Sequence, residues 1–327
     1  MTVDPARPDA EGELFVPAVT GSALPDVRVL PASPVTRFAP APTGALHLGH
    51  IVNVLYVWGI AQATGGRVIM RIEDHDRQRS RATYEAALLD DLARLGVAPD
   101  EPSVAAFAGR TGYRQSDAAD SYELALDGLR AGGLVYACAC SRATFAAHEA
   151  AQGRPWSGIG CPGGCRALEL PEDGDVGLRL AVGAGSERWV DLLAGPLADE
   201  PAAPGDPLVR DRLGNWTYGF CVVVDDMRHG VDLVIRGRDL LDATPVQLRL
   251  ARLLGRETPP QYLHHPLIRR VSGQKLSKAE GDTAIRSLLD AGRTPAELFG
   301  LAARLAGVRE DDSPLDPRHL DAVFAGP

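Results

Sequence analysis

Two histidines three residues apart, His47 and His50, close a turn rich in proline and glycine, Arg37-Phe38-Ala39-Pro40-Ala41-Pro42-Thr43-Gly44-Ala45-Leu46-His47-Leu48-Gly49-His50. A short β-type run (Val35 to Phe38) precedes the turn and a strongly apolar helical run (His50 to Ala63) follows it. Strand, Pro/Gly turn and helix in that order aim the unpaired N–H groups of a helix N-terminus over the sheet edge, where phosphate is the usual guest. Imidazoles three apart on the first helical turn can face the same way. From there they can donate to phosphate oxygens and to charge developing on them. The same rings could instead do no more than cap a buried helix, and the spacing leaves both readings open.

Lys275 and Lys278 are the only lysines among 34 basic residues, and they fall three apart in Gly273-Gln274-Lys275-Leu276-Ser277-Lys278. A chain that uses arginine wherever a plain positive charge suffices reserves lysine for a place needing a compact ammonium on a flexible stem. Four of the five cysteines form two close pairs, Cys138-x-Cys140 and Cys161-x3-Cys165. Four thiolates close a tetrahedral zinc site with no position to spare, so the expected Zn2+ is structural. Binding of order ~10–16 kcal/mol would hold a subdomain with little core of its own. Close pairs of this kind point to a reducing compartment rather than to disulfides, and the chain is expected in the cytoplasm. Cys221 lies in an apolar run and reads as packed. No G-x-x-x-x-G-K-[ST] occurs, and no G-x-G-x-x-G follows a strand. Nucleotide must then be bound by the His-Leu-Gly-His turn and the distant lysine loop together.

The elements that must position these groups follow from periodicity. Helix 50–63 is apolar on most sides and reads as buried between layers; Gly65-Gly66 ends it and Arg67 to Ile72 is the next strand. That makes a β-α-β unit with a parallel sheet. Glu73, Asp74, His75 and Asp76 then stand at its C-terminal end, where open α/β sheets carry ligand groups. Amphipathic helices are expected over 81–95 and 114–131, and a short helix near 142–152. Short strands at 177–182, 187–193 and 207–212 suggest a mixed α+β insertion, 136–213, that carries the zinc. An apolar run at 217–224, a strand at 231–236, a helix at 239–254 and a strand at 262–268 resume the α/β texture. The expected fold is therefore a Rossmann-type α/β catalytic domain over 35–135 and 214–283. A short helical part over 284–327 follows it, ending in a weakly patterned Pro/Asp-rich tail. Residues 1–34, with six prolines, read as a disordered extension.

With 327 residues the chain has room for about two cored domains. Apolar residues at 45% and charged residues at 24% describe an ordinary globular protein with no run long enough to span a membrane. Its net charge of −9 argues against a generally basic DNA or RNA binder. From Arg236 to Arg293, however, eleven basic residues stand against six acidic ones. That local excess suits a polyanion bound in one place; a solvated charged surface would explain it nearly as well.

Taken together, Arg37-Phe38-Ala39-Pro40-x-Pro42-Thr43-Gly44 with His47-Leu48-Gly49-His50, Arg71-Ile72-Glu73-Asp74 and Lys275-Leu276-Ser277-Lys278 resemble the class I glutamyl-tRNA synthetase family over about residues 35–290. The first and last look like its HIGH and KMSKS signatures. The cysteine pairs, and an end soon after the lysine loop, resemble a shortened branch of that family without the anticodon-binding domain. This resemblance implies ATP with Mg2+ as co-substrate, glutamate as amino acid, and tRNA(Asp) carrying queuosine as acceptor, with no membrane and no DNA among the partners. It implies that glutamate is held by Arg37, Ala39, Ala41, Glu73, Tyr218 and Arg236. ATP would lie on Thr43, Gly44, His47, Gly49, His50 and Lys278, and the catalytic groups would be His47, His50, Lys275 and Lys278. In chemical terms Arg236 can meet a carboxylate with its planar fork, Glu73 can take the α-ammonium, and Tyr218 can offer a hydroxyl. Tyr218 could equally be a core aromatic, and Arg236 could pair internally with Asp239. Two residues depart from the family pattern: Ala41 replaces the usual Ser, and Gly219 stands where a polar amide is common.

Overall fold

The computed structural model describes residues 14–15, 24–153, 160–162, 164–270 and 284–324. Leu14–Phe15 (β1) is a two-residue strand, and Val35–Phe38 (β2) leads through the Pro/Gly turn into Leu48–Thr64 (α1). Helix α1 ends where Gly65 adopts a left-handed φ of 65°, and Arg67–Met70 (β3) returns parallel to β2 with Arg37 opposite Ile69. Ala82–Arg94 (α2) and Ala119–Ala131 (α3) follow, then Val135–Cys138 (β4) and Arg142–Gln152 (α4). The strands Gly177–Leu180 (β5), Glu187–Asp191 (β6), Gly195–Asp199 (β7) and Leu208–Arg210 (β8) come next. Tyr218–Arg228 (α5), Leu233–Gly237 (β9), Thr244–Leu253 (α6) and Gln261–His265 (β10) complete the central unit. Arg269–Arg270 (β11), Ile285–Asp290 (α7) and Pro295–Leu305 (α8) come next, and a 3-10 helix, Pro317–Val323, follows.

The β2–β3 pair abuts a four-stranded sheet of order β7-β6-β10-β9. Asp232 N–H donates to the Val35 carbonyl (3.0 Å), and the Asp232 carboxylate accepts from Val35 N–H (2.8 Å). Strands β9, β10 and β6 run parallel, and β7 closes the edge as an antiparallel hairpin. Helix α1 covers this sheet. Its residues Ile51, Val54, Leu55, Tyr56, Val57 and Ile60 are wholly buried, which is why its sequence is apolar on nearly every side.

Four sequence expectations are corrected by these elements. The strand foreseen in the zinc insertion at 187–193 instead joins the main sheet, where Asp191 of β6 lies opposite Tyr262 of β10; its short apolar pattern carries no mark of its partner. The insertion sheet, β4-β5-β8, is also not short of a core. Leu178, Leu180 and Val209 pack with Tyr122 and Leu126 of α3 and Phe220 of α5. The Pro/Asp-rich tail packs on the core through Phe324: Leu320, Val323 and Phe324 are buried against α1. Gly59 makes this possible, since a Cβ there would sit 2.4 Å from the Phe324 ring. Finally, part of the 1–34 extension is placed: Leu14–Phe15 pairs antiparallel with Arg269–Arg270, and Val27 and Leu30 pack on the core. Two helices also start later than their patterns suggest. The 239–254 helix opens as a 3-10 turn at Arg238–Ala243 ahead of Pro245, and 114–131 becomes α-helical only at Ala119.

Candidate active site

His47 is the N-cap of α1, and both histidines serve the cap through the same ring atom. His47 Nδ1 accepts from Gly49 N–H (3.1 Å), and His50 Nδ1 accepts from His47 N–H (3.1 Å). The rings lie 4.1 Å apart between centroids. An Nδ1 that accepts has no proton, so each neutral ring carries its hydrogen on Nε2. The two readings left open by spacing are thereby joined: capping with Nδ1 fixes the tautomer that makes Nε2 a donor.

Across from this turn, β2, β3 and α5 bring five charged side chains together out of water. Glu73 is tied to the turn through its N–H on the Pro40 carbonyl (3.2 Å). Arg71, 0% exposed, donates to Asp226 (2.7 Å) and Glu73 Oε1 (3.0 Å) and lies 3.6 Å from Asp225. Burial alone would favour loss of its proton, but Asp226, Glu73 and Asp225 more than offset this and keep the guanidinium charged. Burial likewise works against ionised Asp226, yet Arg37 and Arg71 hold its carboxyl below the usual range. Burial does push the Glu73 carboxyl up, with Arg71 and Arg37 pulling back only in part. Arg37 spends Nε on Asp226 (3.2 Å) and Nη1 on the Ile235 carbonyl (3.0 Å); its Nη2 has no partner among the described residues.

Arg236 is engaged differently from the expectation. It makes no pair with Asp239: Nε donates to His264 Nε2 (2.9 Å), Nη1 to Gln247 (2.6 Å), and Nη2 to Thr244 (2.8 Å) and the Leu240 carbonyl (3.2 Å). Four of its five N–H hydrogens are thus used inside the protein. A full two-pronged grip on a substrate carboxylate fits Arg37 better than Arg236, which retains one Nη1 hydrogen.

These groups border a cleft of about 470 Å³. Of the residues expected to hold glutamate, Arg37, Ala39, Ala41, Glu73, Tyr218 and Arg236 all line it. His47, Gly49 and His50 line it as well, while Thr43 and Gly44 lie in the same turn but not in the lining. Lys275 and Lys278 lie outside the described residues. The Tyr218 hydroxyl has no partner among the described residues, and burial, then the Glu73 charge, raise its pKa. A Cβ at Gly219 would meet nothing within 4 Å, so glycine is not demanded there by crowding.

Sequence reasoning missed Asn53, His265 and Asp226. Asn53 stands three residues after His50 on the same helix face and donates to His265 Nε2 (3.1 Å), whose Nδ1–H is given to the Pro266 carbonyl (2.9 Å). Burial holds the His265 pKa at about 4, so it remains neutral. The i, i+3 spacing from His50 was a usable signal for Asn53; Asp226 offered none. A larger cleft of about 650 Å³ is lined by Asp74, Arg81, Glu85 and Arg114. Its Arg114 is already committed to Glu85 (2.6 Å) and Asp117 (2.8 Å).

Away from the cleft, Cys138, Cys140, Cys161 and Cys165 converge, their sulfurs all within 4.8 Å of one another. The Cys140–Cys161 and Cys140–Cys165 separations are 3.3 and 3.7 Å. Tetrahedral zinc with Zn–S near ~2.3 Å would set sulfurs about 3.8 Å apart, so the donor set fits that ion. Burial opposes the Cys161 thiolate, but the Cys165 N–H and neighbouring thiols bring this thiol down to about 7.

Known proteins share this arrangement of sequence. A family model described as tRNA synthetases class I (E and Q), catalytic domain, matches residues 34–313. The glutamyl-Q tRNA(Asp) synthetase of Symbiobacterium thermophilum is 40% identical over 297 residues, covering 88% of this chain and 91% of that protein. Its namesake from Rhodobacter capsulatus is 37% identical over 284 residues, covering 81% and 98%. Among solved structures, the glutamate-tRNA synthetase of Elizabethkingia anophelis superposes with a TM-score of 0.73 at 23% identity, over 88% of this chain and 65% of that one. This last likeness speaks to fold alone, and the chain spans just under two thirds of that longer protein.

Proposed function

Because the chain belongs to the family of class I glutamyl- and glutaminyl-tRNA synthetase catalytic domains, we propose that it activates glutamate with ATP and transfers the glutamyl group to queuosine in the anticodon of tRNA(Asp). The observation that carries this reading is the cleft itself. An amino-acid half, made by Arg37, Glu73 and Tyr218, faces a helix N-terminus with two Nε2–H donors. Glu73 pairs with the α-ammonium, Arg37 Nη2 and the remaining Arg236 hydrogen take carboxylate oxygen, and Tyr218 adds a hydroxyl. The other carboxylate then attacks the α-phosphate of ATP in line, and pyrophosphate leaves. His47 and His50 donate to the charge that gathers on that phosphate, with Lys278 in the same role, acting by position rather than by covalent chemistry. Mg2+ accompanies the ATP. The choice of acceptor is supported by the names of the two relatives, whose lengths this chain covers almost entirely. Among the described residues no helix is long and apolar enough to cross a membrane.

Glutamate-dependent exchange of labelled pyrophosphate into ATP tests the activation step. Exchange with glutamate well ahead of glutamine is expected; exchange with neither overturns the reading.

Zinc is assigned to the four thiolates, which would hold it; the ion supplies a cross-link between the two cysteine pairs and no reacting group. Purified chain is expected to contain about one zinc, lost on Cys161→Ser. Because β4-β5-β8 shares its core with α3 and α5, the damage should stay near residues 138–165 and spare ATP binding. Metal analysis finding none, with all four thiols titrating freely in the native protein, contradicts the assignment.

A further inference from the structure

Arg236 is held by a line of buried groups that ends on a strand from a distant part of the chain. Asp191, 1% exposed, lies at the end of β6; its Oδ2 accepts from His264 Nδ1 (2.6 Å) and from His264 N–H (3.1 Å). Its Oδ1 accepts from the N–H groups of Leu193 (3.0 Å) and Ala194 (2.8 Å), which fixes the carboxylate in place. A carboxylate so engaged only accepts, so the His264 proton sits on Nδ1 and Nε2 is bare. Bare Nε2 is what receives Arg236 Nε–H at 2.9 Å, and Thr244 Oγ1 stands 3.3 Å from the same atom. Tyr262 lies beneath, with the guanidinium carbon 5.3 Å from its ring centroid. Arg236 is therefore held on every side but the cleft, which it lines, and the polarity of the whole line is set at Asp191.

We propose that Asp191, through the tautomer of His264, is the positioning residue that orients Arg236 and thereby sets affinity for the carboxylate of the amino-acid substrate. This rests on the glutamate-activating reading above. It also gives a reason for β6 to join the main sheet: pairing with β10 is what brings Asp191 beside His264.

Three variants separate this role from general support of the fold. Asp191→Asn turns an amide N–H toward His264 Nδ1, which moves the ring proton to Nε2 and sets it against Arg236 Nε–H. His264→Asn keeps a donor near Nδ1 but loses the acceptor toward Arg236. His264→Gln supplies an oxygen near the place of Nε2. In pyrophosphate exchange, Asp191→Asn and His264→Asn are expected to raise the KM for glutamate about 10–100-fold, with kcat and the KM for ATP within about threefold of wild type. His264→Gln is expected to recover most of the glutamate affinity. A purely supporting role would lower thermal stability in all three without ranking them this way. Equal KM values for His264→Gln and His264→Asn, or an unchanged glutamate KM in a folded Asp191→Asn chain, overturn the proposal while leaving the glutamate reading intact. Absence of glutamate-dependent exchange in the wild-type chain overturns that reading and this proposal with it.

Discussion

Replacing Glu73 by Gln is expected to raise the glutamate concentration needed for half-maximal exchange by about 10–100-fold while leaving ATP affinity unchanged. One Glu73 oxygen is taken by Arg71 at 3.0 Å, and the other has no partner among the described residues. The amide can keep the Arg71 contact through its carbonyl, so the network survives, but its NH2 faces the substrate ammonium. A hydrogen bond to a charged group contributes about 1.5–3 kcal/mol, and each 1.4 kcal/mol is about tenfold in affinity. The pH dependence gives a second readout with a definite sign. Burial raises the Glu73 carboxyl, and only its ionised form pairs with an ammonium. Affinity for glutamate is therefore complete above that raised pKa and is lost as pH falls through it. Glu73→Gln should have weak affinity and no such acid limb. An unaltered acid limb in the variant would assign the titration to another group and remove Glu73 from the ammonium site.

Lys278→Ala is expected to lower the saturating rate of adenylate formation about 100-fold or more, the usual cost of removing one preorganised contact to transition-state charge. ATP binding should weaken far less, because the charge it meets develops mainly in the transition state. Lys278 lies outside the described residues, so the expectation rests on its motif and on composition: Lys275 is the chain's only other lysine. Lys278→Arg should rescue only in part, since a guanidinium is larger and its fork is rigid. Presteady-state adenylation at near wild-type rate in Lys278→Ala would make the loop a structural element and remove Lys278 from the chemistry.

What could be read from the sequence was local. The β2-turn-α1 unit is written in three prolines, Gly44 and an unbroken apolar run, and it forms where expected with His47 at the cap. Four cysteines at close spacing foretold a cluster that the fold assembles. What could not be read depends on partners far along the chain. Asp226 is one acid among 43 in the sequence, yet the fold sets it, from α5, 2.7 Å from Arg71 and 3.2 Å from Arg37. Strand β6 has a pattern that suits an insertion sheet, and only pairing with β10 reveals that it serves the catalytic half. Arg236 was misjudged for the same reason: its partners His264, Gln247 and Thr244 lie on β10 and α6, so all but one hydrogen of its fork is used from inside. The tail gave no periodic signal because its burial comes from single side chains, such as Phe324 set against Gly59, rather than from a repeating face.

We propose that this cleft makes glutamyl-adenylate for delivery to a modified anticodon base. Transfer of labelled glutamate to purified tRNA(Asp) with and without queuosine tests it most directly, with the tRNA 3′ end oxidised in a parallel reaction to block charging there. Label is expected on the queuosine-containing tRNA whether or not its 3′ end is intact, and none on the unmodified tRNA. Label on unmodified tRNA that disappears on 3′ oxidation would contradict it.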